Sequence, residues 1–311
     1  MDLCASLRES LRCDPAMCSS LEFSTETLDE EKLNLIPKGG FSRVSTGVQV
    51  AGAAFAHAYN RTESSVERTV AAFESLSRRG VRNTNIDVMY GLPEQQDESL
   101  AKTVEWIRLV RPSQVTLYEM RYNMTSVTPT SVSRERNYHQ YSYLFERLQD
   151  LGYRGDFGQN ALSLDGGPAV SSYLLARMEE GLPYKGFGVS AQSMSDRGLS
   201  YNSLKGCDAR NLPALERIEA EDVYELPGEE LAAKYISIAL YSGRFRRETV
   251  TRLLGLDCDV HYAAELDYLM GRALLEEHDG WYRLTRRGVR FYGAVAAQFW
   301  SSKHKAWFLA R

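Results

Sequence analysis

The chain has 311 residues, of which 43% are hydrophobic and 25% are charged, and its formal net charge is −4. This length and composition are typical of one large globular domain or two smaller ones. The net negative charge does not provide the overall positive potential that would attract nucleic acid or an anionic membrane. No apolar run approaches the ~20 residues of a membrane span. Five scattered cysteines and a start without a signal-peptide stretch predict free thiols and a cytoplasmic protein.

Short apolar runs alternate with longer helical patterns from residue 19 to about residue 155. We place strands at SSLEFST (19–25), RVSTGVQV (43–50), TNIDVMY (84–90) and SQVTLYEM (113–120), followed by helices at 28–40, 64–80, 97–110 and 134–152. Strands that alternate with helices of this length predict parallel pairing and right-handed crossovers. Rossmann-like sheets and βα barrels both fit, but no G-x-G-x-x-G follows any of the strands, which disfavours a Rossmann nucleotide site.

The C-terminal third has a different pattern, which starts with helical stretches around residues 231–241, 246–256 and 260–275. A β-hairpin with Gly280 at its turn and a last helix follow. This order is typical of a winged-helix-like module, which could bind DNA through Arg283, Arg286, Arg287 and Arg290. Acidic neighbours offset that basic cluster, so we favour a packing module that does not bind nucleic acid.

Polar side chains interrupt four strands that would otherwise be apolar. They are Glu22, Gln49, Asp87 and Glu119, each within or at the C-terminal end of its strand. A parallel strand covered on both faces is normally a continuous apolar run, and burying a carboxylate or amide is costly unless it has a partner. Either these groups face a ligand at the strand ends, as in the active sites of βα barrels, or they bond to loop amides and cap the following helices.

Several stretches resemble one known family. FSRVSTGVQ, YNRTES and NIDVMYGLPEQ are similar to consecutive motifs of the oxygen-independent coproporphyrinogen III oxidase-like branch of radical S-adenosylmethionine (SAM) proteins, which includes heme chaperones and methyltransferases. YKGFGVSAQSMSDRGLSYNSLKG (184–206) resembles the glycine-rich segment after that family's barrel. The resemblance extends from about residue 19 to residue 300.

The resemblance implies a SAM site on this chain. The residues that match SAM contacts of the family, or that neighbour them, are Glu22, Gln49, Arg61, Asp87, Arg121 and Gln192. Carboxylates can accept hydrogen bonds from the ligand's hydroxyl and ammonium groups, and arginine can bind its carboxylate bidentately. The alternative for Arg61 is a surface ion pair with Glu63 or Glu67.

The chain departs from the family at the cysteines. The resemblance implies a 4Fe-4S cluster, but no C-x-x-x-C-x-x-C motif occurs in this sequence. Eight and four residues separate Cys4, Cys13 and Cys18, which is too loose for that motif, so we assign no metal ligands. The chain would then be a fragment, half of a split protein or a remnant. In each case the first strand would have an uncovered edge, which predicts self-association or a partner chain that supplies the N-terminal part.

We therefore predict an α/β fold: a partial parallel βα barrel of the radical SAM type, followed by a small, mainly helical winged-helix-like domain. The predicted parts are a lead at 1–18, the barrel with its glycine-rich extension at 19–215 and the C-terminal domain at 216–311. Two functional hypotheses stay open. One is a SAM-binding, methyltransferase-like protein that is inactive in isolation, with an apolar, aromatic or tetrapyrrole substrate near Tyr184, Phe187 and Val189. The other is a non-catalytic heme- or partner-binding protein, for which His57, His139 and His261 are candidate ligands.

Overall fold

The structure is a computed structural model, and it describes residues 2–14, 18–49, 65–93, 95–120, 132–167, 169–203 and 220–309. The chain forms two compact units, Met1–Ser172 (unit 1) and Tyr173–Arg311 (unit 2). None of the helices within the described ranges is long and apolar enough to cross a membrane. The domain boundaries at residues 18 and 215 stay a prediction.

Unit 1 alternates strands and helices, as the sequence pattern predicts. Its elements are α1 (Asp2–Ser10), β1 (Ser19–Phe23), α2 (Glu30–Lys38), β2 (Phe41–Gln49), α3 (Val66–Arg78), β3 (Asn83–Tyr90), α4 (Asp97–Val110), β4 (Gln114–Glu119), α5 (Arg134–Asp150) and β5 (Ala161–Ser163). Three of the helices begin at a capping side chain. The side chains of Asp29, Ser65 and Ser133 each accept a hydrogen bond from the backbone N–H three residues further on.

The strands of unit 1 form one sheet with the order β1-β2-β3-β4-β5. The first four strands are parallel, and β5 pairs antiparallel with β4. The predicted parallel sheet is confirmed, including the pairing of SSLEFST with RVSTGVQV, in which Glu22 lies opposite Ser45. Because neighbours in the sheet are neighbours in the sequence, each crossover advances by one strand, which is how a βα barrel is built.

One face of this sheet, the outer face, packs against helices. Its central residues are almost wholly buried and apolar: Val44, Ile86, Val88, Val115 and Leu117. Tyr90, at the end of β3, lies 5.8 Å from the ring of Tyr141 on α5, which shows that α5 covers this face. Burial of each such aliphatic side chain stabilises the fold by about 1.5–3 kcal/mol.

Unit 2 begins within α6 (Ser172–Met178), and its first part is a small antiparallel sheet with the order β6-β7-β8. The strands are β6 (Gln192–Met194), β7 (Gly198–Asn202) and β8 (Ala220–Glu225). The remaining elements are α7 (Gly228–Ala239), β9 (Arg244–Arg246), α8 (Arg247–Leu254), α9 (Cys258–His261), α10 (Ala263–Gly271), β10 (Leu275–His278), β11 (Trp281–Leu284), α11 (Arg286–Val289), α12 (Tyr292–Gln298) and α13 (Ser302–Leu309).

The second part of unit 2 is winged-helix-like, as predicted. Strands β9, β10 and β11 form an antiparallel sheet with the order β10-β11-β9, and helices α8 to α10 lie between β9 and the hairpin. Gly280 turns the hairpin with a φ of 77°, a conformation that favours glycine. Phe245 is fully buried in the core, with its ring 5.0 Å from the ring of Tyr282 and 5.4 Å from that of Phe299.

Candidate functional site

The second face of the unit 1 sheet, the inner face, is polar. Alternate residues of three adjacent strands point to it, namely Arg43 and Ser45 on β2, Asn85 and Asp87 on β3, and Gln114 and Thr116 on β4. Of these six residues, Asp87 is predicted from the sequence as a site residue, and the other five are not. Their signal is a polar residue at every second position of strands that are apolar in between, which is the period of a strand with one polar face.

A chain of hydrogen bonds connects the inner face across three strands. The Thr116 hydroxyl donates to Asn85 Oδ1 at 3.0 Å, and Asn85 Nδ2 donates to both Ser45 Oγ and Asp87 Oδ1 at 2.8 Å. Ser45 Oγ in turn donates to Asp87 Oδ2 at 3.4 Å. These bonds hold the Asp87 carboxylate in one orientation, so the site is preorganised before any ligand arrives.

Asp87 has a perturbed acidity. Burial raises the pKa of its carboxyl, and the nearby Glu22 carboxylate raises it further, whereas the hydrogen bonds from Asn85 and Ser45 and the Arg43 charge act in the opposite direction. The net effect is a raised pKa, because desolvation is the largest contribution. A carboxylate that is costly to keep charged, in a strand at the inner face, is a candidate binding or catalytic group.

Glu22 lies close enough to Asp87 to influence its pKa. It is on β1, opposite Ser45, and its side chain is exposed. The structure therefore brings together two of the carboxylates that the sequence singled out. They differ in solvation, since one is open to water and the other is partly desolvated.

Gln49 ends β2 in an irregular conformation. Its φ is 65°, which is uncommon for a residue other than glycine, and the pairing of β2 with β3 shifts between Gly47 and Gln49. A Cβ atom added at Gly47 would lie 2.5 Å from Gln49 Nε2, so the amide folds back over that glycine. Because Gly47 pairs with Asp87, the Gln49 amide lies beside the Asp87 strand.

The exit from β3 is a tight loop, as the sequence Gly91-Leu92-Pro93 predicts. Gly91 has a φ of 85°, which a side chain would disfavour, and its N–H donates to Gln140 Oε1 at 2.7 Å. Gln140 Nε2 donates to the carbonyl of Gln95 at 2.8 Å, and Gln95 Nε2 donates to the carbonyl of Met89 at 3.0 Å. Side chains thus fix the loop that follows the strand carrying Asp87.

Glu119 does not join the inner face. Its Oε1 accepts a hydrogen bond of 2.7 Å from Asn137 Nδ2 on α5, so it lies on the outer face. The hypothesis that all four polar strand residues face a ligand is therefore wrong for Glu119. Its partner is a side-chain amide of the following helix, whereas the alternative predicted from the sequence was a bond to loop amides that caps that helix.

Three further candidates lie outside the described residues, namely Arg61, Arg121 and His57. Among the other histidines, His139 Nε2 lies 2.9 Å from Asp97 Oδ1, which engages one of its two potential ligand atoms. The ring of His261 lies 4.7 Å from that of Tyr262. These contacts are ordinary surface packing for histidine.

Gln192 is on β6 of unit 2 and its amide is engaged within that unit. Its Oε1 accepts hydrogen bonds from the Tyr184 hydroxyl and from Arg177 Nη2, the latter at 3.2 Å. Its Nε2 donates to the Tyr201 hydroxyl at 2.5 Å. The Arg177 guanidinium lies 4.6 Å from the centre of the Tyr184 ring, and the Tyr173 ring meets Tyr184 edge-on at 5.7 Å. The result is an aromatic cluster around one amide, and its SAM contact stays a prediction.

The spacing of the cysteines in the sequence does not match the motif that holds a 4Fe-4S cluster in the family that the chain resembles. Cys13, Cys18 and Cys258 are free thiols, and burial raises the pKa of Cys258 to about 12. No group of three or more histidine, cysteine or acidic side chains that could hold a metal ion occurs within the part of the chain that the structure describes. The sequence also lacks a C-x-x-x-C-x-x-C motif, so we derive no chemistry through a cluster.

Comparison with known proteins supports the resemblance drawn from the motifs. Residues 14–107 match the family model of the Radical SAM superfamily. Anaerobic coproporphyrinogen III oxidase 1 of Cereibacter sphaeroides is 33% identical over 121 residues, which are 38% of this chain and 26% of that protein. The oxygen-independent coproporphyrinogen III oxidase of Escherichia coli K12 is 24% identical over 263 residues, which are 83% of this chain and 56% of the enzyme.

Structural comparison covers more of the chain than the sequence comparisons do. The solved structure of coproporphyrinogen III oxidase from Escherichia coli, described as a radical SAM enzyme, superposes with a TM-score of 0.73 at 19% identity. The match covers 96% of this chain and 73% of that chain. The predicted fold class is thereby confirmed. The chain spans between about a quarter and about half of the two curated relatives named above.

Proposed function

Since the chain carries a Radical SAM superfamily segment and is similar to the oxygen-independent coproporphyrinogen III oxidases, we propose that the inner face of unit 1 binds S-adenosylmethionine. The observation that supports this most is the arrangement of Glu22, Gln49 and Asp87 at the inner face of parallel strands. Ligands of open and closed βα folds bind at the carboxyl ends of such strands.

The chemistry of the three side chains suits this ligand. SAM carries two ribose hydroxyls and an ammonium group, which donate hydrogen bonds, and a carboxylate and adenine nitrogens, which accept them. The Asp87 and Glu22 carboxylates accept hydrogen bonds only, and the Gln49 amide both donates and accepts. The hydrogen bonds that orient Asp87 leave its remaining lone pairs available to such a ligand.

Binding should depend on pH through Asp87. Its pKa is raised by burial, so part of its charge is lost as the pH falls toward that value. A cationic or hydroxyl donor stabilises the charged form, and the ligand therefore binds best above the Asp87 pKa. We expect affinity to decline as the pH is lowered through that pKa.

We expect this binding to be weak. Each net hydrogen bond contributes about 1 kcal/mol, with more for charged partners, and association costs several kcal/mol in lost freedom. The hydrogen-bond contributions minus this cost of association correspond to a Kd on the order of 0.1–1 mM. Because the sequence contains no C-x-x-x-C-x-x-C motif, we also expect no reductive cleavage of SAM by this chain in isolation.

Titration calorimetry with SAM tests the binding. We expect a measurable Kd in this range, a weaker one for Asp87→Ala, and an unchanged one for Glu229→Ala, whose side chain is exposed in the first turn of α7. Absence of binding to the wild-type chain would contradict the proposal. Anaerobic reconstitution with iron and sulfide, followed by dithionite and an assay for 5′-deoxyadenosine, tests the second expectation. Product formed by the isolated chain would refute it.

For the substrate we propose a planar, apolar or aromatic molecule, with tetrapyrroles as the first class to test. The support is the aromatic cluster of unit 2, together with Phe187, which follows Tyr184 by three residues and is 61% exposed. Aromatic rings and a guanidinium stack well on flat ligands. Quenching of tyrosine fluorescence by coproporphyrin III that is lost in Tyr184→Ala would support this substrate class, and equal quenching in both proteins would contradict it.

A further inference from the structure

The last strand of the small sheet in unit 2, β8, has one edge without a neighbouring strand in the part of the chain that the structure describes. The sheet has the order β6-β7-β8, so β7 pairs with only one side of β8. Val223 is 70% exposed and Tyr224 is 49% exposed, and the acidic residues on either side of them, Asp222 and Glu225, are exposed as well. An edge strand that is open to water presents its backbone to any chain that can pair with it.

The direction of the backbone groups of β8 follows from its pairing with β7. The Leu226 N–H, just beyond the strand, donates a hydrogen bond of 2.9 Å to the Arg197 carbonyl, and the register is regular from there back to Tyr224. In an antiparallel pair the N–H and C=O of one residue point to the same side, and successive residues alternate, so Leu226 and Tyr224 face β7. The backbone groups of Val223 and Glu225 therefore point away from β7, and nothing within the described ranges pairs with them.

The side chains along this outer edge define the kind of strand that fits it. Val223 offers an apolar contact on one face of β8. On the other face lies Tyr224, with the exposed Tyr201 of β7 on the same side of the sheet. Asp222 and Glu225 add one negative charge to each face, and neither forms an ion pair within the described ranges. The complement of this edge is an extended segment in which basic residues alternate with apolar ones.

A second copy of the chain fits the outer edge of β8 poorly. Pairing of β8 with the β8 of another molecule would place the Asp222 and Glu225 side chains of the two copies on adjacent strands. Like charges on neighbouring strands destabilise the pairing, whereas opposite charges stabilise it. Charge therefore favours a basic partner over self-association at this edge.

We propose that the outer edge of β8 docks an extended, basic segment of a partner protein, which joins the sheet as a further strand. Main-chain hydrogen bonds to Val223 and Glu225 supply the attachment, as in other cases of strand addition to an open sheet edge. Lysine or arginine side chains of the partner lie beside Asp222 and Glu225 and supply the selectivity. The interaction is independent of the SAM proposal, because it uses the backbone and the acids of unit 2 and none of the residues of the inner face.

Amide hydrogen exchange, followed by NMR for each residue of the full chain, tests the proposal. In the free protein we expect fast exchange at Val223 and Glu225 and slow exchange at Leu226, which is bonded to β7. The probe is a short blocked peptide that alternates lysine with valine. At about ten times its Kd, this peptide should slow exchange at Val223 and Glu225 about tenfold, because only the unoccupied edge exchanges. A glutamate–valine peptide has the wrong charge, and the lysine–valine peptide with methylated backbone nitrogens lacks its donors, so neither should slow it.

Two variants of one position separate backbone pairing from electrostatic attraction. Val223→Pro removes an N–H that points away from β7, so it blocks the outer edge and leaves the bonds to β7 in place. Val223→Thr is the matched control, since it retains both the N–H and the β-branched side chain. We expect the lysine–valine peptide to lose its binding to Val223→Pro and to bind Val223→Thr as it binds the wild type. Asp222→Lys should weaken its binding severalfold.

Several results would overturn the proposal. Slow exchange at Val223 and Glu225 in the free protein at every concentration would mean that the chain itself covers the edge, and slow exchange that appears only at high concentration would assign the edge to a second copy. Equal effects of the methylated and unmethylated peptides, or equal peptide affinity in Val223→Pro and the wild type, would reduce the interaction to charge attraction alone. A lysine–valine peptide without effect on the wild type would refute the docking outright, even where Val223→Pro does not fold.

Discussion

Substitution of Asp87 by asparagine should have opposite effects on stability and on binding. The asparagine amide is isosteric, so its oxygen can still accept the 2.8 Å bond from Asn85, and its nitrogen can donate to Ser45 once that hydroxyl turns. The hydrogen-bond chain is preserved and only the charge is lost. Because burial raises the Asp87 pKa, the charge destabilises the folded chain, and Asp87→Asn should be more stable than the wild type at neutral pH.

The sign of the pH dependence follows from that raised pKa. A carboxyl group with a folded-state pKa above its ordinary value of 3.8 destabilises the fold fully above the folded-state pKa, and this cost disappears as the pH falls to 3.8. The stability advantage of Asp87→Asn should therefore be largest at neutral pH and vanish near pH 3.8. Urea unfolding at a series of pH values measures it.

Binding should change in the other direction. A charged hydrogen bond contributes about 1.5–3 kcal/mol and a neutral one about 1 kcal/mol. The difference of about 0.5–2 kcal/mol predicts a roughly two- to thirtyfold weaker Kd for SAM in Asp87→Asn, measured by calorimetry, with Glu229→Ala as the control. A variant that is less stable than the wild type yet binds SAM equally well would refute the reasoning, because Asp87 would then be a structural residue.

Three other substitutions separate the site from the fold. Gly47→Ala should displace the Gln49 amide and weaken SAM binding severalfold in calorimetry. The free energy of unfolding, measured with urea, should change by less than about 1 kcal/mol, because the group that must move is a flexible side chain. Glu119→Gln should leave SAM affinity unchanged, since that carboxylate bonds to Asn137 on the outer face, and a weaker Kd would place it in the site after all. Phe245→Ala should cost about 3–5 kcal/mol in unit 2, and hydrogen exchange should show the loss of protection confined to that unit; equal loss in unit 1 would contradict two separate cores.

Local pattern was sufficient for β1 to β4 with their helices and for the C-terminal module, but not for β5 or the β6-β7-β8 sheet. Strand and helix periodicities are properties of consecutive residues, so the alternation in unit 1 and the winged-helix order in unit 2 were predictable to within a few residues. The neighbouring positions of β1 to β4 followed from the rule that βα crossovers move to an adjacent strand. Gly280 and Gly91 were also predictable, because each supplies a backbone conformation that a turn requires.

Polar groups on the strands of unit 1 were predictable from the sequence, but which of them share the inner face was not. Asp87 stood out because a carboxylate interrupted an apolar strand, and the same signal selected Glu119, which lies on the opposite face. Which face a strand residue occupies is set by the register with its neighbours and by irregularities such as the one at Gln49. A single sequence does not reveal that register.

The sequence by itself thus determined the order of the elements, the parallel sheet and the presence of polar groups where such sheets bind ligands. Only the tertiary structure decided that Arg43 is buried beside Gln114, a residue 71 positions further along the chain, and that Asn85 joins Ser45 to Asp87. The physical reason is that periodicity depends on nearest neighbours in the chain. The solvation and the pairing of a charge, in contrast, depend on which strands lie side by side, and these are fixed only when the sheet forms.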